Sequence, residues 1–353
     1  MIHFLRLFLW PFSLIYGLII VLRNYLYDRG VFKSEKFDLP VIVIGNLAVG
    51  GTGKSPMTEY LIRLLKDSFK IATLSRGYGR ETKGFLYVNE TDSAKTVGDE
   101  PLQFKTKYPD VTVAVSEDRV LGVKRLKDKH QIIILDDAYQ HRALMPGFSI
   151  LLLDYDGLFQ PRLLLPAGDF RDSYGQRKRS DMIIVSKSPA HLSEENKKNA
   201  LRKVAANPNQ PVLFSFLRYG IPYNILEGSP VKEEKILQKE DHVLIVTGIA
   251  NPKPLLNYVK ENCDAVRLLS YPDHHDFTIK DINDITKQFH ALEFNKKYIL
   301  TTEKDFQRLK VYLKQSVMAD LPIWVIPIEA SFSDDDRKQF ASLILNYCGR
   351  RLN

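Results

Sequence analysis

The chain has 353 residues, 44% of them apolar, and 50 Lys and Arg against 42 Asp and Glu give a formal net charge of +8. That size and apolar content exclude a disordered chain and suit two packed domains. Two cysteines, Cys263 and Cys348, with no C-x-x-C pair, exclude a disulfide framework and a thiolate metal site and point to a reducing compartment, while the positive charge asks for an anionic partner without choosing among nucleic acid, anionic lipid and a phosphorylated substrate.

The first element, "FLRLFLWPFSLIYGLIIVLRNYLYDRG", is apolar and aromatic. Sixteen uncharged residues separate Arg6 from Arg23, fewer than the ~20 that a spanning helix needs. Pro11 and Gly17 interrupt the run, and no small-residue cleavage site follows it. Trp10, Tyr16, Tyr25 and Tyr27, with Arg6, Arg23 and Arg29, suit a helix lying at the lipid headgroup level. A first helix packed on the core is the second reading, and a transmembrane span the third.

Next comes "VIVIGNLAVGGTGKSP", Val41–Pro56. Its apolar β-branched start predicts a strand buried on both faces. Gly50, Gly51 and Gly53 let backbone N–H groups turn inward around an anion, with Thr52 among them. Lys54 can reach the β- and γ-phosphates, Ser55 can offer its hydroxyl to Mg²⁺, and Pro56 suits a first helical turn. One departure stands out: Ala48 occupies the position where the strict phosphate-loop pattern has glycine.

Strands and helices then alternate. "SRGYGR" closes the next strand and brings Arg76, Tyr78 and Arg80 to a glycine-rich turn, where arginine forks suit phosphate. "GDEP" sets Asp99 and Glu100 side by side at a helix start. They can cap that helix, or one can take a proton while the other assists a metal. "IIILDD" ends a strand in Asp136 and Asp137, a form suited to holding Mg²⁺ directly or through water. Gln140 and His141 follow on the same turn. "LLPAGDFRD" brings Arg171 to a turn, and "YPDHHDF" clusters Asp273, His274, His275 and Asp276, which read better as a base or proton relay than as a metal site. The α/β rhythm predicts parallel sheets covered by helices. "VLFSFLRYGIPYNILEG" breaks it as a small antiparallel linker, and a helix closes the chain from about Asp334 to Tyr347.

Taken together, "GNLAVGGTGKSP", "SRGYGR", "GDEP", "DDAYQH", "LLPAGDFRD", "TGIANP", "PDHHDF" and "TTEKD" resemble the motifs of the tetraacyldisaccharide 4′-kinases, the lipid A 4′-kinases of Gram-negative bacteria, in that family's order and over roughly Gly45 to Asp305. The resemblance implies transfer of the ATP γ-phosphate to the 4′-hydroxyl of a tetraacyldisaccharide 1-phosphate at the cytoplasmic face of the inner membrane, by a peripheral or monotopic protein. It implies ATP and Mg²⁺ and no obligate protein partner, while the dispersed charge, without a concentrated basic stripe or stacking platform, argues against nucleic acid. The expected architecture is a P-loop NTPase-like α/β/α domain, a second smaller α/β domain and an N-terminal interfacial helix, divided as 1–28 helix, 29–215 kinase core, 216–239 β linker and 240–353 second domain. The Asp–His pair that activates the hydroxyl in this family matches Asp99 and His274, with His275 a neighbouring alternative; Asp99 is expected to accept the sugar hydroxyl proton and His274 to tune it. Lys54 joins them in catalysis. Gly50–Ser55 would hold ATP, and Ser55 with Glu100 and Asp136 would hold Mg²⁺. Arg76, Tyr78, Asp137, Gln140, His141 and Arg171 would meet the substrate. Two departures from the family pattern are Ala138, in place of glycine, and Asp172, in place of a glutamate with a possible substrate contact.

Overall fold

Val41–Asn46 is buried at every position, and so are Ile71–Ser75, Ile132–Leu135 and Met182–Ser186. Strands this apolar on both faces need helices above and below them. In the computed structural model, which describes residues 6–224, 233–293, 296–313, 318 and 320–352, they are inner strands of a nine-stranded sheet. Its order is Ile328–Phe332, Val212–Tyr219, Met182–Ser186, Phe148–Asp154, Val41–Asn46, Ile132–Leu135, Ile71–Ser75, Thr112–Val115, Leu86–Tyr87. Both edge pairs are antiparallel and the rest are parallel.

Register then places the chemistry. Val43 pairs with Leu135, so the loop after Asn46 and the acids after Leu135 emerge side by side at the carboxyl end of the sheet, where open α/β sheets bind ligands. The chain after the acids crosses closely over the loop strand. A Cβ on Gly45 would stand 2.5 Å from Tyr139 Cβ, which is why this strand narrows to glycine there. The helix Lys54–Leu65 seals one face with Met57, Leu61, Ile62 and Leu65 against Ile42 and Ile44.

A second, six-stranded sheet runs Glu233–Glu234, Tyr223–Asn224, Ile323–Ile326, Lys297–Thr302, His242–Thr247, Ala265–Ser270. Its last four strands are parallel, and apolar clusters around Leu244, Phe277 and Ile282 and around Val243, Leu255 and Val259 fill its two faces.

The expected boundary of 240–353 for the second domain needs correction. The chain leaves the second sheet at Ile326, and after Pro327, which lacks an N–H for the ladder, Ile328–Phe332 joins the first sheet antiparallel to Val212–Tyr219. The closing helix Asp334–Leu352 buries Phe340, Ile344 and Cys348 in the first core, with Phe340 stacked on Phe332 at 5.2 Å. The strand expected to end the core at residue 215 also runs on to Tyr219. Within the expected linker, Tyr223–Asn224 and Glu233–Glu234 pair antiparallel as an edge of the second sheet. Residues 225–232 lie outside the described residues, as do residues 1–5 of the N-terminal segment.

The N-terminal helix, Trp10–Asp28, inverts the usual amphipathic arrangement. Ser13, Tyr16, Gly17, Arg23 and Asn24 face the protein at helical spacing. Ser13 Oγ donates to Leu164 O at 3.0 Å, Tyr16 OH to Arg171 O at 2.9 Å, Arg23 to Gln140 O at 2.6 Å, and Asn24 Nδ2 to Asp172 Oδ1 at 2.9 Å. Leu14, Leu18 and Leu22 are 64%, 71% and 55% exposed. No helix among the described residues is long and apolar enough to cross a membrane.

Candidate active site

A cavity of about 550 Å³ lies between the strand ends of the two sheets, with residues 49–56 as one wall and Asp273, His274, Thr302 and Lys304 on another. The sequence shapes the first wall locally. Gly50 and Gly53 have φ of 98° and 82°, values that L side chains rarely adopt. Gly53 is the N-cap of the helix that begins with Lys54, so the loop's amides lead into a helix N-terminus. Asn46 Nδ2 donates to Thr52 Oγ1 at 2.7 Å and Ser186 Oγ to Thr52 O at 2.8 Å, which fixes the turn. Ala48 forms a β-bridge with Phe170, and Val49 N donates to Asp169 O. The backbone there is extended against a neighbouring segment rather than left-handed, so glycine is not required.

Asp137 stands beside the loop at φ 48°. Arg171 holds it with two bonds, at 2.8 and 3.2 Å, and also donates to Asn46 Oδ1, while Lys54 Nζ lies 3.9 Å away. Burial would raise the Asp137 carboxyl, but Lys54 and Arg171 outweigh it and keep it below the usual carboxylate range. Asp136 is different. It is fully enclosed beneath the loop and accepts from Thr58 Oγ1 at 2.9 Å. Burial, then the charges of Glu100 and Asp137, push it up to about 7.

Ser55 Oγ donates to Glu100 Oε1 at 2.6 Å. Among the described residues no cluster of three or more His, Cys, Asp and Glu side chains could cage a metal. Mg²⁺ does not need one, since it is held by one or two carboxylates, water and substrate phosphates. A serine hydroxyl touching a carboxylate beside Lys54 is a hard-oxygen donor set of that kind, and the residues fit the ion.

On the opposite wall, His274 Nδ1 lies 3.0 Å from Asp99 Oδ2, although the two residues are 175 positions apart. His274 takes φ 57° to turn toward it, and its ring packs on Tyr78 with centroids 5.0 Å apart. Arg308 donates to the same Asp99 oxygen at 3.0 Å, and the Glu100 N–H to the other at 2.9 Å. Burial alone would raise Asp99. The hydrogen bond from His274 and the charges of Lys304 and Arg308 hold it below its ordinary value instead. His275 turns away: its Nε2 meets Asp281 Oδ2 at 3.1 Å and its ring stacks on Tyr271.

Other expected substrate residues lie elsewhere. Gln140 spends its amide on Asn46 O at 2.6 Å. His141 is half-buried, its proton affinity lowered by burial and then by Arg119. Arg76 is exposed in a separate surface depression shared with Arg80 and Glu117. Asp172 is fully buried and bonded to Asn24 and the Ser173 N–H. Its shortened side chain anchors the N-terminal helix and does not reach the cavity. Sequence reasoning missed Lys304 and Arg308 as site residues. The available signal was Lys304 itself, a cation in the first turn of the helix Glu303–Leu309, where the helix dipole disfavours positive charge.

Known proteins resemble this chain over nearly its whole length. The family model for tetraacyldisaccharide-1-P 4′-kinase matches residues 5–348. The chain is 41% identical to the tetraacyldisaccharide 4′-kinase of Phocaeicola vulgatus, over 96% of this chain and 94% of that one, and 40% identical to that of Flavobacterium johnsoniae, over 99% of each. It is similar to the crystal structure of the "apo" form of LpxK from Aquifex aeolicus in complex with ATP, with a TM-score of 0.74 and 29% identity over 97% of this chain and 99% of that one. The chain belongs to the tetraacyldisaccharide 4′-kinase family.

Proposed function

We propose that this protein transfers the γ-phosphate of ATP to the 4′-hydroxyl of a tetraacyldisaccharide 1-phosphate, forming lipid IVA in lipid A biosynthesis. The observation that carries the reading is one cavity lined both by the Gly50–Ser55 loop and by His274, whose imidazole is paired to Asp99. A nucleotide loop alone fits any ATPase. A buried carboxylate–imidazole pair facing that loop fits a kinase with a hydroxyl acceptor.

In this reading the loop amides and Lys54 cradle the β- and γ-phosphates and oppose the charge that develops as the γ-phosphoryl group loosens. Ser55 and Glu100, with Asp136 behind them, would hold Mg²⁺, which when bound would neutralise phosphate charge. Arg171 and Asp137 brace the loop from the side on which Leu47 and Asn46 leave their strand, and with Tyr78 they supply polar contacts to the sugar. The acceptor proton passes to the Asp99–His274 pair: Asp99, ionised and bonded on both oxygens, orients the imidazole, and His274 is its more exposed member.

The N-terminal helix supplies the location. Its outward leucines and isoleucines, with Trp10 and Tyr25, form an apolar face that the protein leaves uncovered, and its inward polar stripe is bonded to the Leu164–Asp172 turn that carries Arg171. We infer a helix lying in the cytoplasmic leaflet of the inner membrane, bringing the cavity to the lipid plane. The test is incubation with γ-labelled ATP and tetraacyldisaccharide 1-phosphate in mixed micelles. Label is expected in the lipid, and ADP formation that proceeds equally without the acceptor overturns the reading.

A further inference from the structure

Lys304 has a side chain only 19% exposed, held among partners of both kinds. Its Nζ lies 3.0 Å from His274 Nε2, 3.6 Å from Glu100 Oε1 and 3.8 Å from Asp273 Oδ1. Beside the Glu100 and Asp273 carboxylates the lysine carries its ordinary ammonium charge. It therefore donates to His274 Nε2, whose single lone pair is then occupied. The other ring nitrogen is committed to Asp99. In this arrangement the imidazole has no atom free for an acceptor hydroxyl.

The ammonium has somewhere else to go. Glu100 Oε1, its neighbour at 3.6 Å, is the same oxygen that accepts from Ser55 Oγ at 2.6 Å. Lys304 Nζ is thus no farther from the Ser55 hydroxyl than those two distances laid end to end. Lys54 and Lys304 line one cavity, Lys54 at the start of the helix that follows the phosphate loop and Lys304 in the first turn of the helix that follows Thr302. A lysine on a flexible stem exchanges partners readily, and a phosphate oxygen is a stronger acceptor for an ammonium than a neutral imidazole is.

We propose that Lys304 is a second phosphate-binding cation, selective for the γ-phosphate of a bound nucleoside triphosphate, and that its transfer from His274 Nε2 to that phosphate frees the imidazole for the acceptor hydroxyl. The proposal rests on the nucleotide-loop and Asp99–His274 readings given above. One hydrogen bond is exchanged for another, and the chemistry that follows balances. The acceptor O–H gives its proton to Nε2, its oxygen lone pair forms the new P–O bond, and the bond from the γ-phosphorus to the bridging oxygen breaks with its electrons leaving on ADP. A nucleoside diphosphate offers no γ-phosphate, so it leaves Lys304 on the imidazole and the base capped.

The test compares Lys304→Met, which keeps the stem and removes the charge, with Lys304→Arg and the full-length parent. Dissociation constants for ADP and for a non-hydrolysable ATP analogue, each with Mg²⁺, are measured by calorimetry. Lys304→Met should weaken the triphosphate analogue by about tenfold to a hundredfold, the range for a hydrogen bond between charged groups, and leave ADP binding unchanged. Lys304→Arg should recover part of the loss. Equal weakening of both nucleotides, or no change in either, overturns the proposal. Should the methionine variant not fold, Lys304→Gln gives the same ratio. A parent that shows this Lys304-dependent preference but puts no label into the lipid refutes the acceptor reading alone. Labelled lipid with an unaltered nucleotide ratio in Lys304→Met refutes the Lys304 role alone.

Discussion

Lys107 Nζ stands 2.8 Å from Glu303 Oε2, across 196 residues of chain, and 2.7 Å from Glu59 Oε2. One lysine thereby joins the helix that starts with Lys54, the helix that starts with Asp99 and the helix that carries Lys304 and Arg308. Two enclosed carboxylates share one cation, so burial, with the Glu303 charge adding to it, raises Glu59 to about 7. Its folded-state value lies above the ordinary 4.5, so between these two pH values the folded protein holds a proton that the unfolded chain has released. Stability attributable to Glu59 therefore falls as pH rises from about 4.5 to about 7. Denaturant titrations across that window should show the parent losing stability relative to Glu59→Gln, which does not titrate. A flat difference between the two would place the proton elsewhere. Lys107→Ala removes the cation the two acids share, leaving Glu59 with Arg63 at 3.8 Å and Glu303 with the Tyr223 hydroxyl at 2.9 Å, and should cost about 3–5 kcal/mol.

The Asp99–His274 pair predicts a kinetic pattern. A positioned acid–base group is worth about 10²–10⁴ in rate, so Asp99→Ala and His274→Ala should each lower kcat by that much and leave ATP affinity nearly intact. The double variant should be little worse than the poorer single one, because the two act as a unit. His275→Ala should be milder, since that ring meets Asp281 and Tyr271 and not the cavity. Strictly additive losses, or a His275 effect larger than that of His274, would falsify the pairing.

The phosphate loop was legible from its glycines because their positive φ is a local backbone requirement, and the strand before it from an unbroken apolar run. Asp99 was legible from "GDEP" beside Glu100. What the sequence concealed were relationships set by the second sheet. Arg308 reaches Asp99 only because the helix after Thr302 packs against the helix after Gly98, and no spacing in the chain expresses that. The return of Ile328–Phe332 to the first sheet was equally hidden, since a five-residue apolar strand fits either sheet by pattern and Pro327 marks only the break. Asp172 misled for the opposite reason: beside Arg171 it reads as a site carboxylate, whereas its partner is Asn24 in a helix 148 residues away.

Lys54→Ala should leave the fold intact, because the side chain lies along the cavity and the loop is held by Asn46, Thr52 and Ser186. It removes a cation from the phosphate undergoing transfer, and the expected loss is about 10²–10³ in kcat, comparable to removing one preorganised donor at a developing charge. Initial rates with labelled ATP, alongside an unchanged unfolding midpoint, check this. Unaltered turnover in a folded variant would mean that the loop does not cradle the transferring group.

The N-terminal helix permits a test that deletion would confound. Removing the first 27 residues would also strip Tyr16 and Asn24 from Arg171 and Asp172, so a lost activity would say nothing about lipid. Substitution on the outward face avoids this. Leu14 and Leu18 are among the most exposed apolar side chains of the helix, and a glutamate at either position meets water in the isolated protein and creates no buried charge. The double variant Leu14→Glu, Leu18→Glu should therefore unfold at the same midpoint as the parent, within about 0.5 kcal/mol. At the membrane the balance reverses. Each leucine lost from the acyl boundary forgoes about 1.5–3 kcal/mol of apolar burial, and each added carboxylate is repelled by anionic headgroups. Sedimentation with vesicles of anionic and zwitterionic phospholipid should drop by at least about tenfold in partition coefficient. Turnover of an acceptor embedded in those vesicles should fall with it, and turnover of the same acceptor dispersed in detergent should not. Equal vesicle binding by variant and parent would show that the exposed leucines do not enter the bilayer, and the interfacial reading of the helix would fall.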